Sequence, residues 1–240
     1  MSNKKKNKNN GQQKNEPPLS QVLKNRRDKA NLLKEAGVKL YPNHFRKDTD
    51  VKHVLDNYSD QDGEALEAGE YDFYLAGRII LHRSFGKVTF FHIQDTTGLI
   101  QAYAARDDLG VDDYKIFKKY DIGDIVGVRA GLFRTKTGEL TLKCKEVTLL
   151  TKSMRPLPEK HHGLQKTETR YRQRYVDLIV NEHTRDIFVK RTKIVRAMRN
   201  FLEDKGFMEV ETPMMQAIPG GATAKPFTTH HNAYDMQLYM

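Results

Sequence analysis

Five short segments rich in Val, Ile, Leu, Phe and Thr crowd residues 71–151. They are FYLAGRIILHR, KVTFFHIQD, GLIQAYAA, DIVGVRAGLFR and ELTLKCKEVTLL, and each reads as a strand. Tight turns join two of the pairs. Asp95-Thr96-Thr97-Gly98 links the second segment to the third, and Thr135-Lys136-Thr137-Gly138 links the fourth to the fifth. A helix-like stretch, Asp112–Tyr120, separates the third from the fourth. Three strands, a helix and two strands within about 80 residues is the order of an OB-fold barrel, although other small barrels share the strand count.

The flanking sequence reads differently. Leu19, Val22, Leu23, Ala30, Leu33 and Ala36 recur near a 3.6-residue period, which predicts a helix over 19–36 with Gly37 at its C′ position. Lys24, Arg26, Arg27, Lys29 and Lys34 then form the other face, either solvated or turned toward RNA. A shorter helix is expected over about 50–57, behind the cap candidates Asp48, Thr49 and Asp50. Residues 19–70 thus make an N-terminal helical segment before a 71–151 barrel. Residues 1–18 carry five lysines against one glutamate and no apolar anchor. They predict a disordered basic tail that either solubilises the chain or adds affinity for phosphates.

Residues 152–166 hold Pro156, Pro158, His161, His162 and Gly163, a linker by composition. Helices are expected over 167–180 and 184–205, the second with an apolar stripe from Ile187 to Leu202 and a stop at Gly206. Phe207–Thr212 alternates like a strand and is broken by Pro213. A Gly220-Gly221-Ala222 loop and a terminal strand complete residues 167–240.

Composition narrows the function. Of 240 residues, 38% are apolar and 30% charged. No apolar run reaches membrane-spanning length, and MSNKKKNKNN has no apolar signal region. The single cysteine, Cys144, excludes an internal disulfide and a Cys-rich zinc site, which makes a reducing cytoplasm the default. The pairs His161-His162 and His230-His231 have no completing ligand pattern, so no metal site is expected. No phosphate-binding glycine loop and no Ser-His-Asp order is found. A formal charge of +10 favours a polyanionic partner such as nucleic acid.

Three runs carry a family resemblance. Arg170-Tyr171-Arg172-Gln173-Arg174-Tyr175-Val176-Asp177-Leu178 comes first. Gly206-Phe207-Met208-Glu209-Val210-Glu211-Thr212-Pro213 follows, and then Ile218-Pro219-Gly220-Gly221-Ala222-Thr223-Ala224-Lys225-Pro226-Phe227 with His230-His231-Asn232. Together with Arg155-Pro156-Leu157-Pro158, they resemble the class II lysyl-tRNA synthetases of bacterial type, from about residue 19 onward. The resemblance implies a mixed fold: an N-terminal helix, a five-stranded OB-fold barrel, and the beginning of an α+β antiparallel-sheet catalytic domain. It implies a cytoplasmic, homodimeric ligase that joins lysine to tRNA(Lys) using ATP and Mg²⁺. The segment with Gly206, Phe207, Val210 and Pro213 resembles the family's motif 1, the dimer motif. Gly220, Gly221 and Ala222 resemble its lysine-binding loop.

The family's motifs 2 and 3, which hold ATP, have no counterpart before Met240. No catalytic residue is therefore expected in these 240 residues, and the chain alone is expected to be inactive. A non-catalytic RNA-binding module is the other reading of the barrel and tail.

For the barrel, the resemblance implies a grip on the anticodon. Phe90 resembles the ring that stacks on a base, and Gln101 the amide that reads the central uridine. Arg83 resembles their basic partner, and Glu139 the acidic contact to an anticodon base. Strand alternation alone leaves Phe90 either in the core or on the outside, because Phe91 faces the opposite way.

Overall fold

The computed structural model describes residues 18–158, 164–220 and 224–240. Residues 1–17 of the basic tail, the His161-His162 pair, Gly221 and Ala222 fall outside them. The chain divides into two compact units, parting after residue 159.

In the first unit, strands β1 (Phe73–Phe85), β2 (Val88–Gln94), β3 (Leu99–Ala105), β4 (Ile125–Arg134) and β5 (Leu140–Thr151) close a barrel in the order β1-β2-β3-β5-β4. Every ladder is antiparallel except β3–β5. Alternation puts Leu75, Ile79, Phe91, Ile93, Ala102, Val126, Val128, Leu142 and Cys144 inside, none more than 1% exposed. Burial raises the Cys144 thiol pKa, which leaves it an inert core residue. Helices α4 (Arg106–Leu109) and α5 (Val111–Phe117) occupy the predicted position between β3 and β4. Phe117 of α5 packs on Phe91, ring centroids 5.0 Å apart.

Helix α1 (Leu19–Glu35) ends as its sequence predicts. Gly37 has φ 79°, and the N–H groups of Val38 and Gly37 donate to the carbonyls of Leu33 and Lys34, the Schellman arrangement that a Cβ would strain. The expected basic face needs correction, because two of its five cations do not face solvent alone. Arg26 is only 7% exposed and donates to the carbonyls of Ile122 at 2.8 Å, Ser153 at 2.7 Å and Arg155 at 3.3 Å. Lys29 pairs with Asp121 at 2.6 Å. Lys24, Arg27 and Lys34 are exposed. Beneath Asp121 lies Lys152, fully buried, with Nζ 2.5 Å from Asp121 and 2.8 Å from Asp124. A buried ammonium persists only with such partners.

Helix α2 (Val51–Tyr58) is capped by Asp50, which accepts from the His53 N–H. Val51 N–H donates to Asp95 at 3.0 Å, so the β2–β3 turn and α2 share one carboxylate. Burial would raise the Asp95 pKa, but the bonds from Val51, Thr97 and Gly98 outweigh it and hold the carboxyl below its ordinary range. A third helix, α3 (Gly63–Ala68), had no sequence signal; Asp62 caps it through the Ala65 N–H.

The second unit contains α6 (Thr167–Arg172), α7 (Arg174–Val180), α8 (Glu182–Asp204) and the hairpin β6 (Thr228–His231)–β7 (Met236–Tyr239). Gly206, φ 85°, closes α8 with a second Schellman pair, Phe207 N–H to Leu202 and Gly206 N–H to Glu203. The strand expected over Phe207–Thr212 does not form. Alternation alone makes no strand; a ladder partner is needed, and none lies beside these residues among those described. The α8 stripe is open to solvent, with Ile194, Met198 and Phe201 each at least 60% exposed.

Candidate nucleic-acid interface

The barrel's outer face is set by a register change in β1. The β1–β2 pairing shifts between Ile79 and Leu81, and such a bulge moves later side chains to the other face. His82 therefore turns inward onto Phe117, centroids 5.4 Å apart, while Arg83 turns outward and is exposed. Burial lowers the His82 pKa and keeps the imidazole neutral.

Arg83 lies directly opposite Phe90, and Gln101 directly opposite His92. Phe91 is fully buried while Phe90 is half-buried on the opposite face. Of the two placements the sequence left open for Phe90, the outside one is correct. Arg83, Phe90, Gln101 and Glu139 all line one groove of about 530 Å³ that runs from the end of β1 to the β4–β5 turn. Positions up to 56 residues apart in sequence thus meet in a single depression.

Neighbouring bonds fix the groove's polar groups. Gln101 Nε2 donates to Thr141 Oγ1 at 3.3 Å, and that hydroxyl donates to the Glu139 carbonyl at 3.1 Å. The amide plane is thereby oriented, leaving its carbonyl and second N–H for a ligand. Glu139 Oε1 lies 3.7 Å from His92 Nε2. Arg134 braces the turn, donating to the carbonyls of Gly138 at 2.6 Å, Gln61 at 2.7 Å and Ser59. Gly138 has φ 83°, the left-handed conformation the turn requires.

Such a groove can stack a planar base on Phe90, offer it a donor and an acceptor from Gln101, and hold an adjoining phosphate near Arg83. The strand pattern did not mark two further rings. Tyr103 lies 5.1 Å from Phe90, and Phe133 lies 5.5 Å from Tyr103, centroid to centroid. The β3–β5 pairing, which joins distant segments, brings them together.

The other marked residues lie in the second unit. Gly206, Phe207, Val210 and Pro213 are all exposed. Gly220 is exposed too, and a Cβ there would meet Gln216 Oε1 at 3.5 Å. Gly221 and Ala222 fall outside the described residues. Asp177 is fully buried and accepts from Arg170 at 3.1 Å, Arg174 at 2.5 Å and Asn181 at 2.5 Å. Burial opposes its ionised form, but Asn181 and Arg170 prevail and keep its pKa lowered. It serves the packing of α6, α7 and α8. Among the described residues, no three acids, histidines or cysteines converge as metal ligands. No helix among them is long and apolar enough to cross a membrane.

Comparison with known proteins agrees with this division. Residues 73–150 match the model of the OB-fold nucleic acid binding domain. Residues 166–240 match that of the class II tRNA synthetases for D, K and N. The chain is similar to the lysine–tRNA ligase of Serratia proteamaculans, 53% identical over 223 residues, covering 92% of this chain and 44% of the relative. That of Chromobacterium violaceum is 50% identical over 221 residues, with the same coverage. That of Pelotomaculum thermopropionicum is 48% identical over 225 residues, 94% of this chain and 43% of the relative. The chain thus spans less than half the length of these curated relatives.

Proposed function

From a chain homologous to lysine–tRNA ligases over nine-tenths of its length, we propose that the barrel is the anticodon grip of such a ligase. Arg83, Phe90, Gln101 and Glu139 are then its tRNA(Lys) contacts. The observation that carries this reading is their convergence on one groove of the barrel's outer face. Phe90 stacks on an unpaired base, Gln101 reads the central uridine by its amide, Arg83 holds a phosphate, and Glu139 accepts from a base edge.

The proposed activity of the whole enzyme is ATP-driven ligation of L-lysine to tRNA(Lys), in a cytoplasmic homodimer. Gly206, Phe207, Val210 and Pro213 belong to the dimer contact in this reading, and Gly220, Gly221 and Ala222 to the lysine-binding loop. The described residues offer no ligand set for Mg²⁺. The proposed ligation uses ATP and Mg²⁺, which the whole enzyme would bind.

The test is a titration with stem-loop RNAs that share one stem. A loop carrying the lysine anticodon should bind more tightly than the same loop with its central base replaced. Equal binding of both would overturn the anticodon reading and leave a general RNA-binding barrel.

A further inference from the structure

The aromatic surface does not end at the groove. Phe133 lines the groove and also a second, larger hollow of about 1080 Å³ beside it. Tyr103 lines that hollow only, so the row Phe90–Tyr103–Phe133 crosses from one depression into the next. All three rings are half-buried, with surface left to meet a ligand. Lys143 lies directly opposite Tyr103 in the β3–β5 ladder and opposite Gly131 in the β4–β5 ladder. It is exposed, and its ammonium makes no hydrogen bond or ion pair among the described residues. Lys145, two residues on, is already engaged by Asp72 at 3.1 Å. Gly131 lines the same hollow, and a Cβ there would meet the Tyr71 carbonyl oxygen at 3.3 Å.

We propose that Tyr103, Phe133 and Lys143 form a second nucleotide subsite. The nucleotide next to the one on Phe90 would seat its base against the Tyr103–Phe133 pair and its phosphate on Lys143. Single-stranded nucleic acid is held in this way, by rings in series flanked by cations. The hollow is also lined by Glu67, Glu70, Asp72, Asp107 and Asp108. Asp72 is paired with Arg129 and Lys145, and Asp107 with Arg106, while the remaining carboxylates repel a phosphate, so the backbone would lie at Lys143. The subsite rests on the anticodon reading of the groove, and its test separates the two.

The probes are a stem-loop RNA with the lysine anticodon and a series in which each loop base in turn is abasic. Phe133→Leu and Tyr103→Leu should each weaken binding of the intact RNA by about 5- to 160-fold, the range expected for one lost base stack. Both should lose their effect on one and the same abasic RNA, different from the one that silences Phe90→Ala. Lys143→Gln, at an exposed position that leaves the fold intact, should lower the salt dependence of binding by about one counterion. Thermal unfolding checks that the ring variants fold; if they do not, Lys143→Gln alone decides.

The subsite is refuted if Phe90→Ala weakens binding while the other three variants bind every RNA like the parent protein. It is also refuted if Phe133→Leu is silenced at the same position as Phe90→Ala. If Phe90→Ala changes nothing either, the anticodon reading fails and the subsite fails with it.

Discussion

Lys152→Met should destabilise the barrel unit strongly, and the cost follows from the geometry. Lys152 is fully buried and sits between two carboxylates, Asp121 at 2.5 Å and Asp124 at 2.8 Å. Met matches the volume of the stem but removes the charge. Asp124, itself fully buried, then keeps only the N–H groups of Ser153 at 2.7 Å and Asp121 at 2.8 Å. Asp121 keeps Lys29 at 2.6 Å, at the rim. Removing one partner of a buried ion pair costs about 3–5 kcal/mol. The surviving backbone bonds place this case toward the lower end, about 3 kcal/mol. For a unit of this size that lowers the melting temperature by about 10 °C. Differential scanning calorimetry measures it. Lys152→Met with Asp124→Asn should recover much of the loss, because the uncompensated charge is gone. A single variant melting within about 2 °C of the parent would refute the reasoning, since less than 1 kcal/mol would then be at stake.

Three further outcomes are expected. Because burial depresses the His82 pKa in the fold, the unfolded chain binds more protons below about pH 6.5, and stability should fall as pH drops through that value. Urea denaturation from pH 7.5 to 5 should show this fall, and His82→Leu should flatten it; an unchanged slope would show that another group governs it. Deleting residues 1–16 should reduce the salt dependence of RNA binding, because five lysines are removed, without changing base preference; identical slopes return the tail to a solubilising role. Limited proteolysis should cut within 170–240 before 73–150, because the barrel buries a continuous core while Ile194, Met198 and Phe201 stay exposed; equal resistance would contradict this.

Much of the fold is legible because local chemistry and tertiary structure agree. Gly37 and Gly206 end helices at φ 79° and 85°, which a residue free of Cβ adopts without strain. The strand–turn alternation gives all five barrel strands. Readings failed where long-range contacts decide. Arg26 looks like a surface cation, but carbonyls 96 to 129 residues away bury it. Phe207–Thr212 has the alternation of a strand and no partner among the described residues. Helix α3 is six residues long and begins with glycine, so neither periodicity nor propensity reveals it. In the candidate site, the family resemblance picked out Arg83, Phe90, Gln101 and Glu139. Phe133 went unmarked because its approach to Tyr103 comes from barrel closure, which no local pattern encodes. Tyr103, directly opposite Phe90 in the β2–β3 hairpin, was open to a register argument that strand alternation alone does not make. The shift between Ile79 and Leu81, which sends Arg83 outward, was likewise unreadable.

The most direct test of the central claim separates affinity from base preference at two residues of one groove. Stem-loop RNAs with each of the four bases at the central anticodon position are titrated against the parent chain, Phe90→Ala and Gln101→Ala. Loss of the ring should weaken binding to all four by about 1–3 kcal/mol, because stacking is tolerant of base identity. Loss of the amide should bring the four affinities together while costing less overall, because base-edge contacts carry the sequence information. Unchanged affinity and unchanged base preference in both variants would contradict the account.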